Sequence, residues 1–390
     1  MTSTRPEEAL LLHSVRHFVG SERRVQAFSL LSRVTDWPYL LRLAAQHGVT
    51  PLLSHFLEEA GGEVLPEPYA HELEAQERNR VRHNLSLTSQ LLATLDLLES
   101  NSIPAVAFKG PVLATELYGD LALRDFDDID ILIRRQDVLG AKDALLANAY
   151  STDLPTRPDE QAAYLRSRYE IHFTASGGAL VEIHQAFLAP FFSVRFDYQA
   201  LWSRLELKSF CGREIRALAP ADLLLVLCAH GTKHGWSRLA WICDIARLLV
   251  IHGSELDWGK ITKAASSMGA RGMLLLGLLL ANRLLSAPVP DDLLKAATSD
   301  GSTLHLALAV ERSLFAPDDS PNDMEGHRFF LKTRERWRDK FTYCTHLAFM
   351  PTEEDQSTFP LPALLSPLRY PLHAYRVFQK YGLTSLKSLL

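Results

Sequence analysis

Cysteine, net charge and long apolar runs are all scarce in this sequence of 390 residues, and each shortage argues against a class of protein. The four cysteines show no Cys-x-x-Cys spacing, so neither a zinc site nor a disulfide framework is indicated. The longest apolar run, residues 273–281, is too short to span a bilayer. A net charge of -5 provides no overall basic surface for nucleic acid.

Composition and length favour an ordinary globular protein of two or three domains. Apolar residues make up 47% of the chain and charged residues 22%, which are typical values. Residues 1–15 include acidic side chains and no apolar signal core. We therefore expect a cytoplasmic protein with no membrane partner.

The segment 128–133 alternates between polar and apolar side chains, as a half-buried strand does. On a strand, Asp128 and Asp130 project to one face and the intervening isoleucines to the other. Carboxylates so close repel each other unless a cation lies between them, and Mg²⁺ or Mn²⁺ is the cation we expect. On this interpretation, Asp130→Asn relieves a repulsion and leaves the melting temperature unchanged or raised. The bland alternative is a chance Asp-x-Asp at a strand end.

A phosphate-binding element lies just before this strand. The apolar run 105–108 stops at Lys109 and Gly110, and a helical pattern follows over 111–118. Backbone N–H groups and a lysine at such a junction can contact phosphate. We therefore expect a metal half and a phosphate half of one site within residues 108–133.

This order of strand, Lys-Gly, helix, Arg and Asp-Ile-Asp resembles the DNA polymerase β-like nucleotidyltransferase superfamily. Within it, the chain is most similar to a bacterial family of poorly characterised nucleotidyltransferases. Pro111 stands where the superfamily usually has Gly or Ser; it suits a first helical turn but offers no N–H to a phosphate. The matching pieces are FKG (108–110), LYGD (117–120), Arg124, DDIDILI (127–133), VEIHQ (181–185) and HGTKHGWSRLAWICDIARLL (230–249).

The resemblance implies an α+β fold, in which a small mixed β-sheet nucleotidyltransferase core is flanked by N-terminal and C-terminal helical domains. We place the N-terminal helical domain at 1–100, the core at 101–210, a helical domain at 211–310 and a C-terminal helical extension at 311–390. The implied reaction is metal-dependent transfer of a nucleoside monophosphate from an NTP to an acceptor hydroxyl or phosphate, with release of pyrophosphate.

The resemblance also assigns roles to residues. Asp128 and Asp130 would hold the metal, and Lys109 and Arg124 would neutralise the triphosphate. Glu182, on a predicted strand over 179–184 that pairs with a strand over 168–174, would be a third metal ligand or the general base. The alternative for Glu182 is a solvated charge at a sheet edge.

A second group of basic residues lies far along the chain. His230, Lys233 and His234 have helical i, i+3, i+4 spacing and so share one face, which we expect to contact the phosphates. The alternative is an ordinary polar helix end. Asp244 lies in an apolar stretch and, if buried, needs a partner; we predict Lys233 or His234.

Two other functions stay open. Pro111 motivates a catalytically degenerate scaffold on the same fold. A basic patch over 332–340, within a predicted amphipathic helix at 325–347, motivates a toxin-like enzyme that nucleotidylates tRNA or protein. Because the chain is acidic overall, we favour a small-molecule acceptor. The oligomeric state is not predicted.

Overall fold

A small mixed sheet lies between helical regions in the computed structural model, which confirms the predicted α+β class. The described residues are 5–20, 29–61, 65–155, 157, 161, 164–165, 168–316, 323–350, 368, 370–377 and 379. A helix predicted over 24–31 lies mostly outside them. The predicted C-terminal extension (311–390) also lies mostly outside them after residue 350. No helix in the described part of the chain is long and apolar enough to cross a membrane.

The helices that precede the sheet each carry a proline in the first turn, where its missing N–H costs nothing. The longest of them ends just before the first strand and packs its C-terminal half against the sheet. These helices are α1 (Pro6–Val19), α2 (Trp37–Gln46), α3 (Thr50–Glu59) and α4 (Glu67–Ser100).

Five strands form the sheet in the order β1-β2-β5-β4-β3. The central pair β2 and β5 is parallel, and every other pairing is antiparallel. The predicted strands at 105–108, 128–133, 168–174 and 179–184 are all present, whereas the short β3 was not predicted. The strands are β1 (Ala105–Ala107), β2 (Asp128–Ile133), β3 (Ser151–Thr152), β4 (Glu170–Thr174) and β5 (Leu180–His184).

The two faces of the sheet differ in chemistry. One face buries the alternate apolar residues of β2, β4 and β5 against α4 and against α6 (Val138–Ala147). Burial of each such side chain stabilises the fold by about 1.5–3 kcal/mol. The other face carries Asp130 and Glu182, and beyond them Leu132 joins the core of the helical region. The polar residues of β2 and β5 therefore lie between the sheet and a helical layer.

That layer combines helices from both ends of the chain. Buried residues of α1–α3 share one hydrophobic core with those of the helices that follow the sheet. The proposed domain boundaries remain a prediction. The later helices are α8 (Pro220–Lys233), α9 (Leu239–His252), α10 (Trp258–Met268), α11 (Arg271–Leu285), α12 (Asp291–Ser299) and α13 (Gly301–Ser313).

Short elements complete the connections. The segment after β1 forms α5 (Gly110–Leu113) and a π turn (Ala114–Tyr118), and α7 (Tyr198–Ser203) follows the sheet. A hairpin of β6 (Glu206–Phe210) and β7 (Arg213–Ala217) was not predicted. Its turn residues Cys211 and Gly212 both have positive φ, as a two-residue hairpin turn of type I′ requires.

The predicted single helix at 325–347 is wrong. The chain forms α14 (Asp323–Lys332) and α15 (Trp337–Phe349) instead, with a break between them. The cause is tertiary: the Thr333 carbonyl packs where Gly272 has no Cβ, and buried Arg334 donates to Asp339 Oδ2 at 2.8 Å. Arg336 also donates to the Ser266 carbonyl, so the basic patch at 332–340 is partly engaged in packing.

Candidate functional site

Three carboxylates lie on the polar face of the two central strands. In the parallel pairing of β2 with β5, Asp130 is the register partner of Glu182. Adjacent strands lie about 4.7–4.9 Å apart, so their side chains are neighbours. Asp128, two residues before Asp130, shares that face and is half-buried, whereas Asp130 is 2% exposed.

Lys109 provides the nearest positive charge. Its Nζ donates to Asp130 Oδ1 at 2.9 Å. Burial alone would lower the pKa of Lys109 and raise that of Asp130. Their mutual attraction outweighs burial, so the Lys109 pKa is raised and the Asp130 pKa is held well below its usual range. Both groups are therefore charged at neutral pH.

Gly110 brings the Lys109 segment against the start of β2. Its φ is +55°, and a Cβ built there would lie 3.1 Å from the Asp128 carbonyl oxygen. A side chain at this position would thus meet both backbone strain and a close contact. Pro111 follows in the first turn of α5, a helix of only four residues. Whether the Gly110 N–H contacts a phosphate remains a prediction.

His184 is a member of the candidate site that the sequence did not single out, although it lies within the VEIHQ piece (181–185). It is 3% exposed, and its Nε2 lies 3.0 Å from Asp130 Oδ1 and 3.3 Å from Glu182 Oε2. Neither ring nitrogen makes a well-aligned hydrogen bond. Burial lowers the pKa of His184, but the two carboxylates raise it to about 9. The signal that could have found it is its period-two spacing from Glu182.

The donor set fits a divalent cation. Ligand atoms of Asp130, Glu182 and His184 all lie within 4.8 Å of one another, with a buried imidazole that lacks an aligned partner. A second such group in the described chain adds Glu170 and His172 to Glu182. Asp128 belongs to neither group. Burial and the Asp130 charge raise the pKa of Asp128 to about 6, as expected for a carboxylate without its own cation.

Arg124 binds a carboxylate of the helical layer and makes no hydrogen bond to this cluster. Its Nε and Nη2 donate to the two carboxylate oxygens of Asp244, each at 2.9 Å, and Tyr118 Oη donates to the same carboxylate at 2.7 Å. The prediction that Asp244 pairs with Lys233 or His234 is therefore wrong. The phosphate-binding role of Arg124 is left without a direct contact in its favour.

The basic face of α8 lies beside the carboxylates. Lys233 Nζ donates to Tyr169 Oη at 2.5 Å, and the Tyr169 ring lies 6.1 Å from that of His184. Burial lowers the pKa of Lys233, partly offset by Glu170. The rings of His230 and His234 are 4.7 Å apart, which confirms their shared face.

The turn after α8 is fixed by a buried aromatic wedge. Trp236 is fully buried with φ of 55°, and a Cβ at Gly231 would lie 2.5 Å from its ring. A Cβ at Gly277 of α11 would also contact the same ring at 3.1 Å. The Trp236 ring therefore packs between α8 and α11, next to the end of α8 that carries Lys233.

A family model described as uncharacterised nucleotidyltransferase matches residues 33–286. The match spans more than half of the chain and includes the sheet, the predicted site residues and α8 to α11. The chain belongs to this nucleotidyltransferase family, as the sequence motifs predicted. No curated protein and no solved structure matched the chain.

Proposed function

We propose that the protein transfers a nucleoside monophosphate from an NTP to an acceptor hydroxyl or phosphate and releases pyrophosphate. The observation that carries this proposal is the register of Asp130 with Glu182 on parallel strands, with Asp128 on the same face and Lys109 bonded to Asp130. Acidic groups that could bind a metal ion thus lie beside a positive charge that could contact phosphate.

Asp128, Asp130 and Glu182 would hold Mg²⁺ or Mn²⁺, for which carboxylate oxygens are suitable ligands. Such an ion would polarise the phosphoryl group and stabilise negative charge on the attacking and leaving oxygens. His184 lies close enough to Asp130 and Glu182 to join them as a ligand or to orient them. The distances support Asp130, Glu182 and His184, whereas Asp128 enters the proposal through its place on the same strand face.

Lys109 and Lys233, which lie on different elements beside the carboxylates, would neutralise the triphosphate. Lys109 lies at the sheet, where it contacts Asp130. Lys233 approaches from α8 and is held by Tyr169. Fixed positive groups of this kind stabilise charge that develops on a leaving pyrophosphate.

We propose that Glu182 acts as a ligand rather than as the general base. Burial raises its pKa, but the neighbouring His184 outweighs this effect and leaves the pKa below the usual value. A general base works best with a pKa near the working pH, so a depressed pKa favours metal ligation.

The alternative of a degenerate scaffold rests on Pro111, which removes one backbone N–H from the phosphate side of the site. The tRNA- or protein-directed alternative rested on the basic patch at 332–340. Because Arg334 and Arg336 are engaged in packing, that patch offers less free charge than its sequence suggested. A small-molecule acceptor remains our proposal.

Incubation with each labelled NTP and Mg²⁺ or Mn²⁺, alone and with cell extract, tests the proposed reaction. We expect metal-dependent labelling of an acceptor together with release of pyrophosphate, both abolished by Asp130→Asn. Asp127→Asn is the matched control, because the side chain of Asp127 is 92% exposed and precedes β2. Metal-dependent NTP binding without any transfer would support the scaffold instead.

A further inference from the structure

A single carboxylate of the helical layer holds both segments that flank the candidate site. Asp244 on α9 is 2% exposed. It accepts from Tyr118, at the end of the segment that starts at Lys109, and from Arg124, in the loop that enters β2. Its two partners therefore belong to the segment that follows Lys109 and to the loop that leads into Asp128.

The pairing is a costly way to stabilise a fold. Removing a carboxylate and a guanidinium from water carries a desolvation penalty that their attraction often only balances. A bidentate Arg–carboxylate contact does, however, fix the relative orientation of the groups that it joins. The geometry of Asp244 is thus better suited to setting positions than to adding stability.

Other contacts hold the backbone of these two segments without Asp244. From α4, Asn84 Nδ2 donates to the carbonyls of Leu121 and Arg124 at 2.7 and 3.1 Å. From α9, Arg247 Nε donates to the Leu117 carbonyl at 2.8 Å. These contacts to backbone carbonyls keep the segments folded. The contacts of Tyr118 and Arg124 with Asp244 then set the exact position of the segments.

We propose that Asp244 is a positioning residue for the nucleotidyl-transfer site, and that Arg124 acts through it rather than by touching the phosphates. Asp244 fixes the positions of Tyr118 and Arg124. The segments that carry these two residues in turn position Lys109 and Asp128. These two segments also touch each other, because Gly110 packs closely against the Asp128 carbonyl. This inference rests on the proposed function for its kinetic consequence, but not for its structural one.

The structural consequence is tested by hydrogen exchange on the full chain. We expect Asp244→Asn to accelerate exchange in residues 108–133 while distant helices keep their protection. Asp222→Asn is the matched control, because Asp222 also accepts a bidentate arginine, Arg204, at 3.0 and 2.7 Å on another part of the molecule. Unchanged exchange at 108–133, or a uniform increase over the chain, would overturn the proposal.

The kinetic consequence is tested at a temperature where every variant is folded. Small misplacements of reacting groups can cost about 10²-fold in rate, so we expect a kcat loss of that order in Asp244→Asn with little change in KM. Adding Arg124→Ala should then cause no further loss, because the two residues act as one unit. A wild-type kcat in Asp244→Asn, or weaker NTP binding when Arg124→Ala is added to it, would overturn the proposal. If the wild type transfers nothing, the proposed function fails, and hydrogen exchange still decides the role of Asp244.

Discussion

Glu182 on β5 lies in register with Asp130 on β2, although the two residues are far apart in the sequence. The strands are parallel, so these side chains project from the same face. Lys109 and His184 both approach the same Asp130 oxygen, at 2.9 and 3.0 Å. Asp130 therefore neutralises two positively charged groups at once.

Asp130 and Asp128 should differ in their effects on stability. Asp130→Asn leaves buried Lys109 and His184 without their shared anion, and breaking a buried pair costs about 3 kcal/mol. Asp128→Asn instead removes a repulsion, so its free energy of unfolding should be unchanged or higher. Urea unfolding of both variants tests this contrast. Equal stability of the two would contradict the charge assignment, and a stable Asp130→Asn would return us to the sequence-based expectation.

Gly110→Ala should damage both stability and activity. The left-handed backbone costs an alanine about 1–2 kcal/mol, and the contact with the Asp128 carbonyl adds to it. Gly119→Ala is the control, because Gly119 has φ of +76° but a Cβ added there would meet no atom within 4 Å. We expect Gly110→Ala to be the less stable variant and to transfer more slowly. Identical unfolding curves for the two would show that the close approach has no consequence.

Lys233→Ala should weaken NTP binding more than NMP binding. A charge-assisted phosphate contact is worth about 1.5–3 kcal/mol, which corresponds to roughly a 10- to 100-fold change in affinity. Tyr169→Phe removes only the hydroxyl that Lys233 contacts, and it should keep most of the preference for NTP. Calorimetric titration of both ligands tests this. The same loss in both variants would mean that Lys233 serves only to hold Tyr169.

His47 should make the fold sensitive to acid. It is fully buried, and burial lowers its pKa. The unfolded chain therefore binds more protons than the folded one, so stability is present above about pH 6.5 and is lost as pH falls. His47→Gln keeps an acceptor for the Leu239 N–H, which donates to His47 Nδ1 at 3.4 Å. Its free energy of unfolding should fall less between pH 7.5 and 5; parallel pH curves would refute the role of His47.

Local pattern was sufficient for the main features of the core. The alternation of Asp128 and Asp130 with isoleucines predicted both the strand and its polar face. The predicted hairpin of strands 168–174 and 179–184 likewise placed Glu182 on a strand. A proline marks the first turn of each helix before the sheet, which is a local signal. The family motifs supplied the reaction class, which spacing alone does not specify.

Long-range pairing was not predictable from local pattern. Asp244 was paired with its sequence neighbours Lys233 and His234, whereas the structure pairs it with Arg124, 120 residues away. The break between α14 and α15 contains no proline or glycine and depends on the close approach of Thr333 to Gly272. The burial of His184 likewise depends on β2 lying beside β5. Each of these features is decided by tertiary contacts, which a single sequence does not reveal.

Calorimetric titration of NTP with Mn²⁺ into the wild type, Glu182→Gln and Asp127→Asn tests the central claim most directly. If Glu182 completes a metal site with Asp128 and Asp130, Glu182→Gln should weaken metal-dependent NTP binding and slow transfer, each by at least about 10-fold. Asp127→Asn should match the wild type. Wild-type binding that survives a chelator unchanged, or a Glu182→Gln variant that binds and transfers normally, would contradict the account.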